Sequence, residues 1–285
     1  MQEWLEDIAR IPRKRHKREY TLSKTTIAHI KNFLSGVFRH AAQQGYFDGV
    51  NPVALTEIPA FAPKGKAGRA YSLEEISLML RVLPEPSATV VATAAYTGLR
   101  LGELQGLTWA GYTPPAEGND LGLLHVRRSI WRGIVGEPKT EESEAAVPVV
   151  PQLAAKLATF RRSTAYLDRG PIFVNAVGKP MDLNALYYRR MRDAIRKAGV
   201  VWVGWHGFRR GLASNLNRLG VDDSVIQAIL RHSDIAVTQS CYIKTVSLEA
   251  MAAMRQFSAI LEKGTKRPGP SATSNNAPPT TTLLQ

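Results

Sequence analysis

A chain of 285 residues, 44% hydrophobic and 21% charged, is long enough for a full core and is sized for two domains. Its formal net charge of +13 points to a polyanionic partner, most simply nucleic acid, and its single cysteine, Cys241, excludes an intrachain disulfide and fits a reducing cytoplasm. No apolar run approaches the roughly 20 residues that span a bilayer, and Met1–Arg10 lacks the apolar stretch of a signal peptide, so the expectation is a cytoplasmic protein that does not engage membranes.

Residues 12–18 form a basic run, read equally as a solvated tail or as an arm on phosphates. Ile27, Ile30, Phe33, Leu34, Val37, Phe38 and Ala41 then recur at helical spacing up to Gly45. Residues 51–70 are rich in proline and glycine and hold Lys64, Lys66 and Arg69, the pattern of a linker suited to a phosphate backbone. Ser72 and Glu75 make a capping box that opens a new helix. A nearly all-apolar helix over 88–96 ends at Gly98, and Arg100 to Leu104 start another. Between 123 and 149 the period shifts to that of strands, with Gly133 and Gly136 as turn signals, so a small antiparallel sheet is expected. Helices return over 151–160 and 182–198 and again over 248–261, while the composition of 263–285 predicts disorder.

The stretch from Trp205 to Lys244 concentrates the chemistry. Two short amphipathic helices, one ending at Gly220 and one opening at Asp222, are bracketed by His206, Arg209, His232 and Tyr242. A second His-x-x-Arg, His125 to Arg128, falls in the expected sheet and reads as structural. A zinc site from His206, His232 and Cys241 lacks the closely paired ligands of zinc modules, and the sequence has no phosphate-binding glycine loop or acidic metal cluster. What remains is cations around one phenol. Tyrosine attack on a phosphodiester needs charge neutralised on the non-bridging oxygens, a proton acceptor and an acid for the leaving alkoxide. Guanidinium forks suit the first task. With a pKa of about 10, only about 0.1% of a tyrosine is ionised at pH 7, so roughly 4 kcal/mol of help is required.

Four ordered motifs resemble those of the tyrosine recombinases of the phage-integrase type. They are Tyr96-Thr-Gly-Leu-Arg100-Leu-Gly-Glu103-Leu, the Gly136-Glu-Pro-Lys139-Thr segment running to Val147, His206-Gly-Phe-Arg209-Arg, and Leu230-Arg-His232-Ser through Tyr242. The resemblance implies a mostly α fold with a small antiparallel β-sheet (α+β). It implies a shortened helical core-binding domain over 1–58, a basic linker over 59–70, a catalytic domain over 71–262 and a disordered tail over 263–285. Tyr242 would attack the scissile phosphate to give a 3′-phosphotyrosyl link, Arg100 and Arg209 would clamp the phosphate, and Lys139 would protonate the leaving 5′ oxygen. His206 would assist proton transfer, His232 would bond the phosphate and Glu103 would orient the site.

The implied partners are double-stranded DNA, a homotetramer on two duplexes built from free monomers or weak oligomers through the helix after residue 247, and accessory DNA-bending proteins. No cofactor or metal is implied. A type IB topoisomerase and a DNA-binding remnant are the other readings. Two departures from the family pattern are the ten-residue step from His232 to Tyr242 and Gly211, where a threonine commonly follows the second arginine.

Overall fold

The computed structural model describes residues 1–15, 18–65, 68–136, 146–163, 169–231 and 248–265. The chain divides into two compact units, Met1–Ala67 and Gly68–Gln285.

In the first unit, helix α1 (Gln2–Arg10) precedes a ribbon of β1 (Arg13–Arg15) and β2 (Arg18–Tyr20), and then α2 (Lys24–Gln43). The basic run read as a tail or arm thus folds in part as an antiparallel hairpin, with Arg13 opposite Tyr20 and Lys14 paired to Glu19 at 3.3 Å. Ser23 caps α2 by accepting the Thr26 N–H. The core is small: Leu5, Ala9, Leu22, Ile27 and Ala62. The apolar stripe of α2 is present as its spacing predicts, but only Ile27 is buried, and Phe33 is 72% exposed. A pair of helices this size covers one turn of the stripe and no more. The expected linker is also partly taken up here, because Ala62 is buried and the Lys24 N–H donates to the Pro63 carbonyl at 2.8 Å.

The second unit opens with α3 (Leu73–Val82), whose capping box joins Ser72 and Glu75 in both directions. Next is α4 (Ser87–Thr97), buried along its whole length. A helix apolar all round is stable only when packed on every side, and α4 lies against α3, α6 (Pro151–Ser163), α9 (His206–Arg218) and strand β7 (Ala146–Val149). Two of its threonines bond back along the helix, Thr93 to the Thr89 carbonyl at 2.8 Å and Thr97 to the Thr93 carbonyl, while the buried Thr89 hydroxyl has no hydrogen-bond partner among the described residues. α5 (Leu101–Gly106) follows directly.

The sheet expected between 123 and 149 forms in two pieces. Strand β4 (Gly122–His125) is central, pairing antiparallel with β3 (Tyr112–Thr113) on one side and with β7 on the other, where Leu124 lies opposite Val147, both buried. A separate hairpin joins β5 (Ser129–Trp131) to β6 (Ile134–Gly136). Its turn has positive φ at Arg132 and Gly133, the type I′ geometry that matches strand twist. Gly136, expected as a turn signal, instead ends β6.

The remaining helices are α7 (Leu183–Leu186), a π-helical turn (Tyr187–Met191), α8 (Arg192–Lys197), α9, α10 (Asp223–Leu230) and α11 (Leu248–Thr265). α11 runs past the expected start of the tail at 263. Its apolar face was expected to dock on a neighbouring protomer. Within this chain Met254, Phe257 and Leu261 are buried in the core of this unit, with Phe257 edge-on to Tyr96, while Leu248 is 84% exposed. Among the described residues, no helix is long and apolar enough to cross a membrane.

Candidate functional site

Three elements converge on one point: the turn between α4 and α5, the first turn of α9 and the C-terminal end of α10. Gly98 ends α4 in a left-handed cap, and Arg100 caps α5. Glu103, in the first turn of α5, accepts the Arg100 backbone N–H at 2.8 Å on one oxygen and Arg100 Nη1 at 3.0 Å on the other. The carboxylate is thereby fixed, and it fixes the guanidinium in turn.

Arg209 lies one turn inside α9 and is 2% exposed. Its Nη1 donates to the Gly98 carbonyl at 2.8 Å and its Nη2 to the Leu230 carbonyl. The second arginine of the expected clamp therefore ties the α4–α5 turn to the end of α10. Arg231, the C-cap of α10, turns its guanidinium inward and donates to Glu103 at 2.6 Å, and its carbonyl accepts from Arg100 Nη2 at 3.5 Å. Sequence reasoning assigned Arg231 no role. The available signal was a charged residue following the apolar face of α10, directly before His232.

α5 reaches this position by close approach to the β5–β6 hairpin. A Cβ on Gly102 would lie 2.4 Å from the Ser129 hydroxyl and 2.9 Å from the Ile130 carbonyl, so only glycine lets the helix seat there. The hairpin leads into 137–145, which carries Lys139.

Electrostatics follow from the geometry. Burial alone would raise the Glu103 carboxyl, but the Arg231 charge and the Arg100 amide and guanidinium hold it below the ordinary carboxylate value. Burial and the Arg100 charge lower Arg209 to about 10, which leaves it protonated at neutral pH. His206, exposed at its outer edge, is held below its ordinary value by partial burial and by repulsion from Arg210, Arg209 and Arg100. Three guanidiniums facing one carboxylate leave a net positive cluster, with a neutral imidazole at its rim. The charge and donor geometry of such a cluster suit an anion such as a phosphate, with an imidazole able to take a proton beside it.

The structure thus brings together Arg100, Glu103, Arg209 and His206. Lys139, His232, Tyr242 and Lys66 lie outside the described residues, as does Cys241 of the zinc reading. The chain leaves the cluster at Arg231 and returns at Leu248, where α11 packs against α10. Lys64 is exposed on the first unit, and Arg69 pairs with Glu75 on the second.

The sequence model described as the phage integrase family matches residues 72–247. A tyrosine recombinase XerC-like protein of Caldanaerobacter subterraneus subsp. tengcongensis is 26% identical over 252 residues, which is 79% of this chain and 63% of that one. An integrase of Streptomyces ambofaciens is 27% identical over 234 residues, 76% of this chain and 59% of that one. The chain therefore spans less than two thirds of the length of these two relatives. Among solved structures, the Tn1549 transposon integrase in complex with transposon right end DNA shares the fold, with a TM-score of 0.60 at 18% identity over 84% of this chain and 80% of that one. The family match covers more than half of the sequence and contains all four motifs together with the arginine–carboxylate cluster, so the chain belongs to the phage integrase family.

Proposed function

We propose that the protein is a site-specific DNA recombinase that cuts and rejoins strands through a 3′-phosphotyrosyl intermediate. The observation that carries this reading is the Arg100–Glu103–Arg231 cluster, tied through Arg209 to α9 and placed where the chain enters the segment holding His232 and Tyr242. In this reading the Tyr242 oxygen attacks phosphorus, the bond to the 5′ oxygen breaks, and that oxygen takes a proton from Lys139. His206 accepts the phenolic proton, Arg100 and Arg209 hold the non-bridging oxygens, and His232 bonds one of them. The new ester conserves the energy of the old one, so rejoining needs no nucleotide. The named relatives are a recombinase and an integrase, which favours recombination over the topoisomerase and remnant readings.

The transposon right end DNA recorded with the Tn1549 integrase supports DNA as the partner here. Met1–Ala67 would serve in core binding and the unit from Gly68 as the catalytic domain, acting in the cytoplasm as a tetramer on two duplexes with accessory DNA-bending proteins. The deciding experiment compares wild type with Tyr242→Phe on duplexes selected from a random pool for covalent capture. The variant loses one oxygen, so it should bind DNA as wild type does and form no adduct. An adduct that survives in the variant would remove Tyr242 from the role of nucleophile.

A further inference from the structure

Arg231 is the member of the cluster for which the family motifs supply no role. It closes α10 with φ 55° and ψ 55°, left-handed backbone that disfavours every residue bearing a Cβ. Nothing in the turn itself calls for arginine, since glycine adopts this conformation freely. The reason lies at the far end of the side chain. Its guanidinium is 3% exposed and stands 2.6 Å from Glu103 Oε2, while Glu103 Oε1 holds Arg100 Nη1 at 3.0 Å. One buried carboxylate is shared by two guanidiniums of unequal exposure, Arg231 inside and Arg100, 39% exposed, outside.

We propose that Arg231 is a positioning residue that neutralises Glu103, so that the outward-facing Arg100 keeps its charge for the scissile phosphate. A buried carboxylate needs a cation beside it. Were Arg100 the cation nearest Glu103, the pair would be neutral at the place where the phosphate must be attracted, and the carboxylate would draw the guanidinium inward. With Arg231 present, the three groups carry one net positive charge, and it resides on the exposed member. The same turn also presents the carbonyls of Leu230 and Arg231 to Arg209 and Arg100, so the strained cap orients both clamp residues through the backbone. The identity of the anion as a DNA phosphate rests on the recombination reading above. The charge balance among Arg100, Glu103 and Arg231 does not.

The test uses the full chain and two readouts. The first titrates inorganic phosphate into protein with isotope-labelled arginines and follows the Arg100 guanidinium resonance, with no DNA present. The second measures single-turnover adduct formation on the selected duplexes. Arg231→Met should weaken phosphate binding by about 10–100-fold, the range for removing a hydrogen-bonded charge. Adduct formation should slow by a similar factor while duplex affinity, carried by many other phosphates, changes little. Arg231→Lys should recover most of both. Arg231→Gly loses the same charge but relieves the strained backbone, so it should be more stable than Arg231→Met and show the same phosphate loss, which separates positioning from folding. In a Glu103→Gln background no charge remains to be neutralised, and Arg231→Met should add little. Wild-type phosphate affinity in the Met and Gly variants, or an equal loss in the Glu103→Gln background, overturns the proposal. If phosphate binding follows the expected pattern but wild type forms no adduct with any duplex, the recombination reading fails and the role of Arg231 at an anion site stands.

Discussion

His206 shows how the surroundings of one residue set its chemistry. Its pKa is held below 6.5 by partial burial, and then by Arg210, Arg209 and Arg100. The ring is therefore neutral at pH 7, the state that the proposed role of proton acceptor requires. The sign is that of a depressed group: protonation is disfavoured in the folded site, so the contribution to stability is present above the unfolded value and lost as pH falls through the folded one. Activity should follow the same direction. The acid limb of adduct formation under subsaturating DNA should lie below pH 6.5, and Arg210→Gln should move it upward by removing one repelling charge. A pH profile for the two proteins checks this. A limb already at or above 6.5 in wild type, or one that Arg210→Gln leaves in place, would remove His206 as the proton acceptor.

At the scale of elements, the packing of α9 explains the departure at Gly211. The chain enters the second unit across this helix: the Tyr71 N–H donates to the Gly207 carbonyl at 3.3 Å, and the Tyr71 hydroxyl accepts the Val203 N–H at 2.8 Å. A Cβ on Gly211 would stand 2.7 Å from the Tyr71 carbonyl, a backbone atom with no room to yield. Restoring the family's usual threonine should therefore destabilise the protein by about 1–3 kcal/mol, the range for an overpacked contact. Urea unfolding of Gly211→Thr measures it, and an unshifted midpoint would show that Tyr71 does not press on the helix. This contact joins residues far apart in sequence, which is why Gly211 read only as an irregular motif position. The helices from α2 onward were legible because Leu212, Leu216, Ile226 and Ile229 repeat at helical spacing. α1 carries Leu5, Ile8 and Ala9 on one face at helical spacing, but with nine residues it is too short for that period to stand out, and the β1–β2 ribbon was missed because Arg13, Lys14 and Arg15 offer no polar–apolar alternation. In the site, Arg100, Glu103, His206 and Arg209 were legible as motifs. Arg231 was not, since its task depends on a carboxylate 128 positions away.

For the whole molecule, the formal charge of +13 favours a polyanionic partner, and on the proposed reading of DNA as that partner the salt dependence of binding reports how many phosphates are contacted. Log affinity for duplex DNA falls with log salt at a slope of roughly −0.9 per phosphate neutralised. Lys64, Lys66 and Arg69 were expected to contact phosphate, and the surroundings of Lys64 and Arg69 differ. Lys64 is exposed on the first unit. Arg69 is paired to Glu75, the residue that also caps α3, and its carbonyl holds Arg210 Nε at 2.9 Å. To reach a phosphate, the Arg69 guanidinium must first leave Glu75, and an ion pair given up offsets much of the one gained. Lys64→Gln should therefore reduce the slope by nearly one contact, roughly 0.9. Arg69→Gln should reduce it by clearly less, and Glu75→Gln, which frees Arg69, should steepen it. Fluorescence anisotropy of one labelled duplex at several salt concentrations gives all three slopes. If Lys64→Gln leaves the slope unchanged, residue 64 is not on the DNA. If Arg69→Gln matches it in full, the Glu75 pair does not persist in the complex, and the entry to α3 must rearrange when DNA binds.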